Sequence, residues 1–421
     1  MTGTITYILS RAGYRAMNGP LADERRRLAG AEPPAAYVSY DPRLLAGAGW
    51  YGYRIALNGG DRSMVERARY MLSERYVIRD GYEYYAYGVY VFGVLLRERV
   101  KMYGIGGGAE PGPSPIDEWW GLKLTMPEGG TVILRKYGSP NAVSLEISTD
   151  GENWQPWTLV GTDYSYTLEE GQTLCIRNTS STFVPFSNGL DDYYRFAFDN
   201  PVEAYGSVMS LSCNDSQHLS LSGANYNFRS MFYGCTSLVN APDLPATTLA
   251  SECYRSMFYG CTSLVNAPDL PATTLASECY SSMFNGCTSL VNAPDLPATT
   301  LASRCYYFMF RGCTSLVNAP DLPATTLAYS CYSSMFNGCT SLVNAPDLPA
   351  TTLVSECYHY MFYGCTTLSE IRIHATDISA SNCLTDWLSG VAVAGDFYCD
   401  PILTIPTGTS GIPNGWTRHD I

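Results

Sequence analysis

The chain has 421 residues, a formal net charge of −13 and only 15% charged residues, while glycine and proline together fill 63 positions. That length accommodates two or three domains with cores of their own, and the Gly/Pro load alongside 33 tyrosines suits turn-rich β structure better than helical bundles. The acidic balance excludes a general nucleic-acid binder, whose phosphate affinity comes from clustered Lys and Arg. Charge is uneven along the chain: residues 1–110 carry 14 Arg and one Lys against 11 acidic residues, a net +4, so the remainder holds −17.

The opening residues MTGTITYILSRAGYRAMNGP contain no uninterrupted apolar stretch with a small-residue cleavage site, and no apolar run reaches the roughly 18 residues of a membrane span. The expectation is a chain made in the cytoplasm, with no signal peptide and no membrane insertion. Residues 1–105 read as a small α+β domain. TITYILS suits a strand and LADERRRLAG a short helix. SMVERARYMLSER suits an amphipathic helix with Met64, Ala68, Met71 and Leu72 on one face and Asp61 near its start, and GYEYYAYGVYVFGVLLRERV alternates like a strand or hairpin. The arginines of this domain suit docking to an acidic partner, or simply a solvated surface.

Residues 106–118 have the Gly/Pro composition of a linker. Over 119–213 the apolar period changes to two. LKLTM, TVILRKY, VSLEIS, YSYTL, QTLCIRN and YYRFAF are short strands separated by PEGG, TDGEN and EEGQ turns, the pattern of an antiparallel β-sandwich. Trp119, Trp120, Trp154 and Trp157 fall here, and they suit either packing across the sheet or an exposed platform for sugar rings.

From about Phe228 the chain repeats every 26 residues as YxxMFxGCTSLVNAPDLPATTLASxC, with PDLPATTL beginning at Pro242, Pro268, Pro294, Pro320 and Pro346. A fixed period in this range means a solenoid, assigned to residues 214–421 with a C-terminal cap, whose coils bury a continuous core only by stacking. Each coil is expected to contain a short strand, a Pro-bounded corner at PDLP and a return through CYxxMF forming one helical or 3₁₀ turn, with the glycine before each Cys at a tight bend. Cys235, Cys261, Cys287, Cys313, Cys339 and Cys365 form one 26-residue series and Cys253, Cys279, Cys305, Cys331, Cys357 and Cys383 a second, leaving Cys175, Cys213 and Cys399. Without a CxxC pair these read as buried ladder positions, with disulfides the alternative. The ladder Asp243, Asp269, Asp295, Asp321 and Asp347 reads as turn residues, with cation binding the alternative.

The motif MFYGCTSLVNAPDLPATTLASECY resembles the BspA-type leucine-rich repeats of surface proteins of gut bacteria, and similar cassettes occur in phages that infect them. The resemblance covers residues 214–421 and includes GIPNGWTRHDI, which is similar to the usual end of such arrays. LEISTDGENWQPW resembles the small sandwich that often precedes them. The last coil departs from the motif at TTLSEIRIHATDI, where Ile371 replaces the repeated Ala and PDLP is lost.

The positions that vary between nearly identical coils form the candidate binding stripe: Tyr233, Arg255, Tyr259, Asn285, Tyr307, Phe308, Arg311, Asn337, His359, Tyr360 and Tyr363. Their Tyr, Asn, Ser and Arg content is that of adaptable paratopes, and it is equally what harmless drift leaves on a solvent face. His218, His359, His374 and His419 are scattered, and no HExxH, GxSxG or Walker motif is present, so no catalytic residue, metal or cofactor is assigned. The fold expected is mostly β: a solenoid preceded by a β-sandwich and a small α+β domain. The function expected is non-catalytic binding. The resemblance implies a virion-associated host-recognition protein of tail or head fibre type, contacting a host-surface glycan or protein and other particle proteins through residues 1–105, with a homo-oligomer compatible. A bacterial cell-surface adhesin is the alternative, and a glycan-active enzyme a third reading.

Overall fold

The computed structural model describes residues 119–421, Ile116, and six strands nearer the N-terminus. It divides into two compact units, Met1–Gly112 and Pro113–Ile421. The described residues are overwhelmingly strand and turn, with almost no helix.

In the first unit β1 (Thr4–Leu9), β2 (Tyr37–Tyr40), β3 (Tyr51–Ala56), β4 (Leu72–Arg79), β5 (Tyr82–Val91) and β6 (Val94–Gly104) form one antiparallel sheet in the order β2-β3-β1-β4-β5-β6. β4 and β5 pair antiparallel along their length, with Arg79 opposite Tyr82. The helix expected over SMVERARYMLSER is corrected at its end. Leu72 opens β4, which pairs with β1 on one side and β5 on the other, so its backbone groups are satisfied by strands on both sides. Met64, Ala68 and Met71 lie outside the described residues, as does LADERRRLAG.

The second unit begins with β7 (Lys123–Thr125), β8 (Gly130–Tyr137), β9 (Leu145–Ser148), β10 (Gln155–Pro156), β11 (Asp163–Leu168), β12 (Thr173–Asn178), β13 (Tyr193–Phe198) and β14 (Val202–Tyr205). One sheet runs β10-β9-β12-β7-β14 and continues into β15 (Leu238–Asn240) of the first coil; the other is β11-β8-β13. Both contribute alternating residues to one core, with Leu124, Ile147, Leu174 and Ile176 from the first and Val132, Leu134, Tyr194 and Phe196 from the second. The expected boundary at 213/214 is not a break. β14 pairs antiparallel with β7 and parallel with β15, and the buried cluster runs on through Phe228 and Phe232. The first coil would otherwise expose the open end of an apolar stack.

Within the array the expected strand is nearly absent. Between interior coils the SLVN segments meet only at single parallel bridges, Asn240 with Asn266, Asn266 with Asn292, and so on to Asn344. Two prolines per coil remove donors from the adjoining corner, and proline is poorly tolerated within a ladder. The hydrogen-bond ladder runs instead through the return, where no helical turn forms. Alternate amides bond within the coil, as from Cys253 to Ala250, Met257 to Tyr254 and Cys261 to Phe258, while the intervening ones reach the next coil, from Tyr254 to Cys279, Ser256 to Ser281, Phe258 to Met283 and Gly260 to Asn285. Every fourth residue of this ribbon, Glu252, Ser256 and Gly260 for example, has φ of +54° to +70° or close to it.

The ribbon aligns side chains into columns. Phenylalanines from Phe232 to Phe362 stack at 5.5–5.7 Å between ring centroids, and tyrosines from Tyr254 to Tyr358 at 5.7–6.1 Å, ending on Trp387. From Cys261 to Cys365 each thiol of the first cysteine series donates to a Phe carbonyl of the coil before, Cys287 to Phe258 at 3.1 Å for instance. All fifteen cysteines are free and buried, so the ladder reading holds and the disulfide alternative does not. At the C-terminal end β16 (Glu370–Ile373), β17 (Gly395–Cys399) and β18 (Trp416–Asp420) form a parallel sheet over the last coil.

Candidate binding face

The varying positions lie on the turn ribbon, and the inter-coil bonds from each glycine, Gly234 to Tyr259 through Gly338 to Tyr363, place the residues before the glycines in one column along the stack. Tyr233, Arg311 and Tyr363 are exposed, and Tyr259, Asn337, Tyr307, Phe308, His359 and Tyr360 are half-buried. Asn285 departs from the expectation of a solvent-facing stripe, being only 8% exposed.

The reason is an alternation between coils. Ser281, Ser282 and Asn285 stand in one coil and Tyr307, Phe308 and Arg311 in the next; Ser333, Ser334 and Asn337 follow, then His359, Tyr360 and Tyr363. Small residues between large ones are covered: Ser281, Ser333 and Ser334 are all buried. The large residues form two ridges. In one, Tyr307 packs on Phe308 at 3.9 Å and the Arg311 guanidinium lies 5.1 Å from the Phe308 ring centroid. In the other, His359 lies 4.1 Å from Tyr360, which meets Tyr363 edge-on at 5.6 Å. Burial raises the Tyr307 phenol above its usual value.

Arg255 belongs to a different device. It lies 2.8 Å from Glu252, which is itself 2.6 Å from Arg229, and it also reaches Glu278; Arg304 follows at 3.8 Å from Glu278. Charges of alternating sign thus clip successive coils together. Further along, Tyr329 and Ser330 both donate to Glu356, at 3.0 and 2.8 Å, and the serine bond leads in holding that carboxyl below its ordinary range. The sequence-expected stripe therefore combines two outward ridges with a charged inter-coil clip.

At its first coil the face is extended by residues of the sandwich that repeat-based reading misses. Tyr137 of β8 and Tyr193 of β13 stack at 4.9 Å; Arg195 lies 4.7 Å from the Tyr137 ring and 5.9 Å from Tyr233, which stacks on Tyr259 at 4.7 Å and 5°. The signal was present in YYRFAF, where Tyr193 and Arg195 share one side of a strand. A cleft of about 260 Å³ opens beside them, lined by Arg195, Phe198, Tyr233 and Thr236 among others.

The tryptophans form no open platform. Trp157 is buried and donates to the Ser165 carbonyl at 3.1 Å. Trp154 packs against Trp119 at 4.7 Å and lies under the Arg177 guanidinium at 4.0 Å. The Asp ladder is solvent-exposed, and Asp347 accepts from His374 at 3.0 Å. Among the described residues no three His, Cys, Asp or Glu side chains are placed to hold a metal ion, and no helix is long and apolar enough to cross a membrane.

Residues 212–318 and 304–385 match the model of the BspA type Leucine rich repeat region, in six copies. No curated protein and no solved structure matches the chain.

Proposed function

Because residues 212–385 carry BspA-type leucine-rich repeats, we propose that this protein is a repeat-based surface adhesion protein, and specifically a host-recognition protein mounted on a phage virion. The observation that carries the reading is where variation falls. Core positions are nearly invariant from coil to coil, while the ribbon face carries Tyr307, Phe308, Arg311, Tyr360 and Tyr363 as ridges of aromatic and cationic side chains. Such side chains supply rigid contact area at low entropic cost. The solenoid acts by presentation: contacts repeated along it, and on many copies per particle, raise avidity without chemistry. Residues 1–105 serve as the mount to other particle proteins, and a host-surface glycan or protein is the ligand.

Mass spectrometry of purified particles tests the mount, with fixed stoichiometry as the expected result; absence from particles ends the virion reading. The repeat family itself favours a second reading, a bacterial cell-surface adhesin, since such repeats resemble those of surface proteins. Surface proteolysis of intact, particle-free cells separates the two, because only the adhesin is cleaved there.

A further inference from the structure

The end of the array where it meets the sandwich holds a cleft with a physical origin. Strand β13 substitutes for a coil before the first. Phe196 donates its amide to Met231 at 2.7 Å and accepts the Cys235 thiol at 3.0 Å, as Phe232 does with Met257 and Cys261. Its ring heads the phenylalanine column, 5.2 Å from Phe232. Two residues on, the imitation stops. In every coil the glycine two places after that Phe donates to the next coil, as Gly234 does to Tyr259 at 2.7 Å, but the equivalent bond from Phe198 to Tyr233 is not formed. The cleft opens at this missing rung, and the Tyr233 carbonyl has no donor among the described residues.

Beside that carbonyl lies an unneutralised cation. Arg135, Arg177, Arg229, Arg255, Arg304 and Arg418 each sit within 4.0 Å of a carboxylate. Arg195 makes no ion pair among the described residues. It bonds the Tyr137 hydroxyl and lies between the Tyr137 and Tyr233 rings, half-buried at the cleft. Arg311 and Arg372 are also without ion pairs, but neither lines the cleft. A planar guanidinium with its position fixed by flanking rings suits a carboxylate.

We propose that this cleft is a subsite for one acidic sugar residue, a uronate or sialate unit of a surface glycan, with its carboxylate on Arg195 and a hydroxyl donating to the Tyr233 carbonyl. Phe198 and Tyr233, which both line the cleft, supply the apolar surface that the C–H side of a pyranose needs. A volume of about 260 Å³ falls below the roughly 300–1,000 Å³ of drug-sized sites and fits a single ring. An extended acidic peptide would want a row of backbone partners, whereas the missing rung opens a single one in the ladder, at Tyr233. The site rests on the adhesion reading for its biological ligand but not for its chemistry.

Calorimetry on the full chain tests it, with trigalacturonate and sialyllactose as acidic probes and methyl-esterified trigalacturonate and lactose as their neutral counterparts. One acidic probe is expected to bind at least about tenfold more tightly than its neutral form, the effect of one charged hydrogen-bonding partner, and Arg195→Gln is expected to remove that difference. The esterified and free probes are compared on the wild-type protein, so the result stands even if Arg195→Gln destabilises the fold. Equal binding of acidic and neutral forms overturns the proposal. So does failure of both acids to bind, or saturation by oligoglutamate alone. A chain that ignores both acids but still attaches to cells loses this subsite and keeps the adhesion role.

Discussion

Burial pushes the Cys305 thiol up to about 12, and the Tyr280 and Tyr306 phenols lie well above their ordinary value for the same reason. The linkage has one sign. A group that loses its proton more readily when unfolded adds full stability below its unfolded pKa, near 8.5 for a thiol, and that stability is lost as pH rises toward the folded value. Each such thiol weakens the fold by on the order of 1.4 kcal/mol per pH unit across that window. The array should therefore unfold cooperatively between about pH 9 and 12, as read by loss of circular dichroism. A fold whose circular dichroism is unchanged at about pH 12 would show that the buried thiols and phenols do not set its alkaline limit. Large and small residues alternate from coil to coil along the ribbon face. Ser333 is 1% exposed between two ridges, so Ser333→Tyr should overpack the face and cost about 1–3 kcal/mol in chemical denaturation, whereas a freely drifting surface position would change by no more than a few tenths.

The turn ribbon explains how a coil tolerates so many left-handed residues. Among the described residues, fifteen non-glycine positions have positive φ, Phe308 and Tyr360 among them, each at a local cost that the inter-coil bonds offset. Glycine is retained at the position before each first-series Cys. Gly286 has φ +75°, and a Cβ there would meet only Gly260 backbone at 3.8 Å or beyond, so space is not the constraint. Gly286→Ala should accordingly cost about 1 kcal/mol through conformation alone, with no change in the ridges; a much larger loss in equilibrium unfolding would point to a clash. The need for a bend at this glycine was legible in the sequence. The ribbon was not, because CYxxMF satisfies a helical period locally, and only the neighbouring coil supplies acceptors for the alternate amides.

At the scale of the molecule the two ends of the stack are closed differently. The C-terminal end is covered by β16–β18 and by Trp387, whose indole donates to the Gly411 carbonyl at 3.2 Å. The N-terminal end is covered by the sandwich, with Phe186 against Phe228 and Phe196 against Phe232. A chain cut to residues 214–421 should therefore expose the first coil and associate or precipitate, while one cut to 113–421 should remain monodisperse, as read by size-exclusion chromatography with light scattering. A well-behaved, fully folded 214–421 fragment would mean that the sandwich is dispensable to the array.

The sequence by itself determined the period, the core columns and the strands of the sandwich, because each follows from local patterning that repeats or alternates along the chain. Tertiary structure decided the rest. Strand β13 stands in for a missing coil, Arg255 clips coils together, Asn285 is covered, and Arg195 meets Tyr233 across a gap in the ladder. Each of these depends on which residues lie one coil apart or across a sheet, and stacking alone brings those partners together.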